Sequence, residues 1–477
     1  MSKKVSTGVK RRDFLAGAAT LAAATPLAVS SASSSRKSDI TARNTKHDYD
    51  VIVVGGGFAG ATAARELGLQ GYKILILEAR SRLGGRCYTS KFAGQDIEYG
   101  GAWVHWLQPH VWAEMQRYGL GVVEDPFTGL EMTKIMKNDG TVKNIDPDKF
   151  LTNIRDAFEK FNHDVWEMFP RPYQPLHNPK VKELDKLSVR DRIKTLDITE
   201  DQRVQLNSFM TLYGGDTTDK FGLAGMLKIY ACGAWNYDAF ADAETHYRIE
   251  TGTMGLITKM IEDSGAKLRL ATPIYRIEQE TDDIKVVTED DEIISAAAVV
   301  ITVPLNTYKN LEFAPALTKE KQAFVNEGQL SKGAKIYIHL KQNIGRVFAF
   351  CDENHPFNWV QTHDYGDELG TILSITVARS SIMDLNDDDA VENAIQSLFP
   401  GVEVLGSAAW DWNSDPYAMG AWPAYRVGQL SRIPDMQTPQ GRLFFGGAFT
   451  ANGWHEFIDG AVESGLRTGK EVKEFLG

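Results

Sequence analysis

Apolar positions fall along the chain in short blocks whose spacing changes from region to region. Tyr49-Asp50-Val51-Ile52-Val53-Val54 predicts a short apolar strand, and Lys73-Ile74-Leu75-Ile76-Leu77 a second that ends at Glu78. Between them Ala61–Leu67 has helix-forming composition. From 150 to 245 apolar residues recur every three or four positions, which predicts a mostly helical block. Lys267–Leu270, Pro273–Thr281, Ile284–Thr288, Glu292–Ser295 and Ala297–Val303 then read as successive strands with Asp-rich turns, a β-meander feeding back into the first strands' domain. Ala334–Leu340 is a further strand, whose alternation puts Lys335 and Tyr337 on the face opposite Ala334 and Ile336. Residues 385–398 predict an amphipathic helix with acids at its start, 441–447 a strand and turn, and 454–477 a closing helix. No repeat of solenoid period is present.

The first strand runs directly into Gly55-Gly56-Gly57-Phe58-Ala59-Gly60. Glycines there allow a tight turn and close backbone approach to a pyrophosphate, and the helix that follows offers unpaired N–H groups and the positive end of its dipole. Glu78, about 20 residues on, can accept hydrogen bonds from a ribose diol. A GxGxxG alone is weak; strand before, helix after and acid at the right distance make a dinucleotide fold the expected one. The run Arg82-Leu83-Gly84-Gly85-Arg86 extends the motif with two more glycines and two guanidiniums that can face phosphate.

Composition narrows the classes. The 477 residues predict two or three domains, or one interleaved pair. With 43% apolar and 24% charged residues the chain is not disordered, and its 42 glycines follow no collagen-like period. Cys87, Cys232 and Cys351 lie too far apart for a disulfide framework or a CxxC metal site, so no metal is expected. The net charge is −11 although residues 1–46 are strongly basic, so the remaining body is acidic and should repel nucleic acid and anionic lipid. Within the leader, Lys10-Arg11-Arg12-Asp13-Phe14-Leu15 is a twin-arginine pattern, followed by an Ala-rich apolar stretch to Val29 and small residues at Ala28, Ser30 and Ala32. That order reads as a twin-arginine signal peptide for a folded protein that is periplasmic or exported, not as a membrane span. The stretch is also short for a bilayer core about 30 Å thick. Residues 31–46 read as a linker.

From Glu78 to Arg86 the chain resembles the FAD-binding opening of the flavin amine oxidases, the family of monoamine and polyamine oxidases. Longer runs carry the resemblance over nearly all of 48–477: Gly55–Glu66, Gly100-Gly101-Ala102-Trp103-Val104-His105-Trp106 and on to Trp112, Thr245–Ile249, Asn452-Gly453-Trp454-His455 and Ile458–Gly465. Within the family the chain is most similar to the bacterial nicotine oxidoreductases. The resemblance implies a mixed α/β fold, a Rossmann-like FAD-binding domain of the glutathione-reductase type interleaved with a substrate domain of sheet plus helices. The expected partition is 1–46 leader, 47–98, 250–325 and 415–477 FAD-binding, and 99–249 and 326–414 substrate domain.

The resemblance also implies the chemistry: oxidation of an amine by hydride transfer from the carbon beside nitrogen to flavin N5, giving an imine or iminium. FAD would be held by Gly55, Gly57, Phe58, Ala59, Gly60, Glu78, Ala79, Arg80, Gly85, Arg86, Gly101, Ala102, Trp103, Ile274, Gly447 and Ile458. Lys335 matches the family lysine that holds a water at N5. Trp422 and Phe457 match the two walls of an aromatic cage around the amine, a cation–π surface worth about 0.5–2 kcal/mol. Trp103, Phe209, Tyr213, Glu244, Thr245, Trp359 and Thr376 match the substrate cavity. Where nicotine enzymes can carry asparagine, Phe457 is a ring, as in the wider amine oxidases. Ala421 stands where monoamine oxidases place the cysteine bonded to FAD, so the flavin is expected to be non-covalent. Phe449 replaces a glutamate near the ribityl chain and cannot accept a hydroxyl's hydrogen bond. Ala102-Trp103 after Gly100-Gly101 departs from the arginine of L-amino-acid oxidases, which disfavours amino acids. The expected substrate is nicotine or 6-hydroxynicotine; the alternatives are a polyamine or primary amine oxidase and a flavin-binding protein without catalysis. Oxygen or a periplasmic cytochrome would take the electrons, and homodimer formation is left open.

Overall fold

The computed structural model describes residues 47–124 and 129–477. The expectations for the twin-arginine leader lie outside the described residues. No helix among the described residues is long and apolar enough to cross a membrane.

Two sheets organise the chain. The first has eight strands in the order Lys267–Arg269, Ile74–Leu77, Tyr49–Val54, Ile293–Ile301, Ile284–Thr288, Ile274–Gln279 and Glu312–Ala314, with Leu443–Phe445 added beside Ile293–Ile301. Its Tyr49–Val54 strand is parallel to both neighbours, Ile74–Leu77 and Ile293–Ile301. Val51, Ile52 and Val53 are wholly buried, as a strand covered on both faces requires. The two strands expected at Glu292–Ser295 and Ala297–Val303 are one, Ile293–Ile301. Its first half pairs antiparallel with Ile284–Thr288; its second half pairs parallel with Leu443–Phe445 after that neighbour has ended. The change of partner, not a turn, explains the break in its pattern. Pro273 stays outside the next strand, having no N–H to give the ladder.

The second sheet has seven strands in the order Val404–Asp411, Ala334–Leu340, Gly370–Val377, Trp359–Gly366, Val347–Cys351, Met132–Met136 and Val142–Ile145. Ala334, Ile336 and Ile338 pack into a core that includes Val391, Ile395 and Leu398. Those three belong to the Asp388–Leu398 helix, which starts three residues later than expected because Asp387 caps it by accepting from the Ala390 N–H. The helical block contains Pro147–Phe161, Glu200–Gly214, Leu223–Cys232 and Tyr237–Thr245 among its helices.

Two helices flank the nucleotide end. Phe58–Gly68 follows the first strand, and Ile458–Leu476 closes the chain. They touch because Gly465 has no side chain: a Cβ there would sit 2.5 Å from the Ala59 carbonyl oxygen.

Candidate functional site

A cavity of about 480 Å³ runs from the start of the Phe58–Gly68 helix to the face of the second sheet. At the nucleotide end its wall is Gly55, Gly57, Phe58, Ala59, Glu78, Ala79, Arg80, Gly85 and Arg86. Gly101, Ala102, Trp103, Ile274, Gly447 and Ile458 continue it. Gly60 is not in the wall. A Cβ at Gly60 would lie 2.0 Å from the Gly55 carbonyl oxygen, so its role is to let the turn close on the helix. The helix has no side-chain cap and no acid in its first turn, which leaves its N-terminus free for an anion. Glu78 is fixed by two backbone donors, Gly56 N–H at 2.7 Å and Arg80 N–H at 2.9 Å.

The three arginines divide their tasks. Arg82 donates to the carbonyls of Leu83, Gly85 and Cys87 and stacks over Tyr88, so it braces the glycine loop from behind and does not reach the cavity, contrary to the phosphate-facing role expected of it. Arg80 lines the cavity and is ion-paired with Asp415 at 2.5 Å. Arg86 lines it too, and donates to the Ala421 carbonyl, tying the nucleotide loop to the turn that carries Trp422. Burial lowers the Arg86 pKa to about 10.

The other end of the cavity is built on cross-strand register. Trp359 pairs with Thr376, Thr376 with Lys335, and Lys335 with Trp410, so these side chains share one face of the sheet. Lys335 is 5% exposed; its ammonium sits 4.7 Å from the Trp103 ring centroid and 5.9 Å from that of Tyr337. Trp422 packs its ring against Gly333 and donates its N–H to the Tyr213 carbonyl at 2.5 Å. Phe457 precedes the closing helix and packs edge-on against Trp454. Both rings line the cavity, as do Phe209, Tyr213, Glu244 and Thr245. Phe209 and Tyr213 stack one turn apart, 5.3 Å between centroids, and the Tyr213 hydroxyl donates to Glu244. Burial, moderated by that hydrogen bond, holds the Glu244 pKa well above the usual carboxylate range.

Two residues of the wall and one behind it change the picture from sequence. Glu456, between His455 and Phe457, lines the cavity and was not anticipated; its position next to a cage residue was the available signal. Phe449 is core: its ring packs edge-on to Tyr308, and Gly447 and Ala448 form the wall in front of it. Cys87 lines the cavity, and burial lifts its thiol pKa to about 12.

FAD fits these residues. An uncapped helix end, the acid Glu78, a glycine-floored groove and a buried Trp103 indole N–H without a partner all lie along one cavity. The arrangement is that of a flavin-dependent oxidoreductase acting on a small molecule. The sequence profile of the flavin containing amine oxidoreductases matches residues 58–473, and the chain belongs to that family. It is 63% identical to a nicotine dehydrogenase of Pseudomonas putida (strain DSM 28022 / S16) over 100% of both chains. It is 38% identical to a pseudooxynicotine dehydrogenase of Pseudomonas sp, covering 98% of this chain and 96% of that one. The fold is similar to that of wild-type putrescine oxidase bound to putrescine, with a TM-score of 0.76 at 20% identity, covering 89% of this chain and 99% of the other. The chain is therefore an amine-acting flavin oxidoreductase.

Proposed function

We propose that the protein oxidises the pyrrolidine carbon–nitrogen bond of nicotine or a close relative such as 6-hydroxynicotine. The observation that carries this is the end of the cavity itself, lined by the rings of Trp422, Phe457, Trp103, Phe209, Tyr213 and Trp359, with Glu244, Glu456 and Lys335 as its ionisable groups. Such a ring-rich wall suits a compact aromatic amine. The 63% identity to a nicotine dehydrogenase supports the same choice.

FAD, when bound, supplies the two-electron acceptor. The chain's own part is to bind and orient. Trp422 and Phe457 confine the amine, and the Arg86 bond to Ala421 holds the Trp422 turn against the nucleotide loop. Lys335 places a cation at the cavity wall, where it can hold a water and favour negative charge on a neighbouring group. Apolar walls exclude bulk water, so an imine would be hydrolysed after release. The flavin is read as non-covalent, since Ala421 offers no sulfur and Cys87 is held as the thiol.

The twin-arginine order at 10–30 supports export to the periplasm, with oxygen or a cytochrome as acceptor. The test is anaerobic mixing of the yellow protein with nicotine, 6-hydroxynicotine, spermidine and benzylamine. Bleaching by the two pyridine amines at low concentration is expected. Bleaching by spermidine or benzylamine alone would replace this reading with a polyamine or primary amine oxidase.

A further inference from the structure

Behind the aromatic cage lies a group of ionisable side chains that amine binding and flavin contact leave unexplained. Glu456 lines the cavity beside Phe457, and its side chain is only 4% exposed. Its Oε1 is buried and has no hydrogen-bond partner. The His455 Nε2 lies 3.4 Å from that oxygen, and the His455 ring stacks on Tyr425 at 3.9 Å with neither nitrogen hydrogen-bonded. Lys228, on the Leu223–Cys232 helix, is fully buried and its ammonium also lacks a partner, lying 5.7 Å from the Tyr425 ring centroid. Glu244, on the Tyr237–Thr245 helix, and Tyr213, on Glu200–Gly214, complete the surroundings, with Glu463 on the closing helix.

A buried carboxyl in a cavity wall, one oxygen sealed in without a hydrogen-bond partner, is costly unless something that enters the cavity pairs with the group. A substrate amine arrives mostly as an ammonium ion, yet its nitrogen lone pair is needed for the carbon–hydrogen bond to break. We infer that Glu456 receives the ammonium proton of the arriving amine, so that the amine held between Trp422 and Phe457 is neutral when it is oxidised. The N–H bond breaks with its electron pair left on nitrogen, an O–H bond forms at the Glu456 carboxylate, and no electrons are transferred. Opposite charges in a dry pocket become two neutral groups. Burial, helped by the nearby Glu244 and only partly opposed by Lys228, holds the Glu456 pKa well above the ordinary carboxylate range, so the carboxyl keeps a proton once it has received one. Burial and Lys228 hold His455 neutral, so it does not quench the carboxylate by ion pairing.

This inference rests on the amine-oxidising reading, and its test separates the two. Glu456→Gln and Glu456→Asp are compared with the wild type, each checked for FAD content and melting temperature. Flavin bleaching is followed anaerobically at saturating nicotine across pH. The wild-type rate should stay level below the amine's own pKa. In Glu456→Gln it should fall about tenfold per pH unit there and approach the wild type at high pH; Glu456→Asp should recover part of the low-pH rate. A folded, FAD-loaded Glu456→Gln that keeps the wild-type profile, or loses rate equally at every pH, overturns the inference. The second readout needs no turnover. Adding nicotine to dithionite-reduced protein should raise the infrared stretch of a protonated carboxyl, absent in Glu456→Gln. If nicotine bleaches no wild-type flavin, the functional reading fails, and the infrared arm still decides Glu456: no such band in the wild type overturns its role.

Discussion

Trp422 and Lys335 carry the sharpest expectations at the scale of single residues. Trp422→Ala should slow anaerobic flavin reduction at saturating amine, because orientation is lost along with binding. Its melting temperature must be measured alongside, since removing even a half-buried indole leaves a void, and a fully buried one can cost about 3–5 kcal/mol. Normal reduction in a merely destabilised protein would make Trp422 a packing residue. Lys335→Met keeps length and removes charge; FAD should stay bound while reduction or reoxidation slows by about tenfold or more. Unchanged rates in both half-reactions would make Lys335 an ordinary strand lysine. Their places in the cavity wall were legible in the sequence because each sits inside a run matching a family pattern. Arg82 was not: whether a guanidinium meets phosphate or its own loop carbonyls depends on how the glycines fold back beneath it. Glu456 was missed because sequence shows that an acid follows His455, not that its carboxyl is buried without a partner.

Among the elements, the contact between the Pro109–Arg117 helix and the closing helix is expected to weaken as pH rises. Asp459 accepts from the backbone N–H groups of His110 and Val111, and its Oδ2 lies 3.0 Å from His110 Nδ1. Burial opposes the His110 imidazolium, but the hydrogen bond and charge of Asp459 outweigh it and raise the pKa. Stability from this pair is fully present below the unfolded histidine's pKa, about 6.5, and is lost as pH rises through the raised folded value. The melting-temperature gap between wild type and His110→Asn should therefore narrow from pH 6 to pH 9; a constant gap would show that the imidazole stays neutral in the fold. Buried strands such as Tyr49–Val54 were legible because unbroken apolar runs leave few alternatives. The Ile293–Ile301 strand was split in error because its pattern records three different neighbours, and neighbours are a property of the sheet.

For the whole molecule, strands from the beginning, middle and end of the chain meet in one sheet, and the cavity starts at the carboxyl ends of its strands Tyr49–Val54 and Ile74–Leu77 and reaches the second sheet. The fold class was legible from the dinucleotide motif together with long family-like runs. The cavity's shape was not, because it depends on the cross-strand row Trp359, Thr376, Lys335 and on the Arg86 tie to Ala421, both long-range. The flavin should be free of any covalent bond: acid precipitation should leave all FAD in the supernatant, and a yellow pellet would show a linkage, with Cys87 the first thiol to examine. The central claim, that this cavity oxidises a nicotine-type amine, is tested most directly by anaerobic titration of the FAD-loaded protein with nicotine. One equivalent of nicotine per FAD should bleach the flavin completely, with an oxidised pyrrolidine product recovered in equal amount. A flavin that stays yellow at saturating nicotine while benzylamine or spermidine bleaches it would contradict the account.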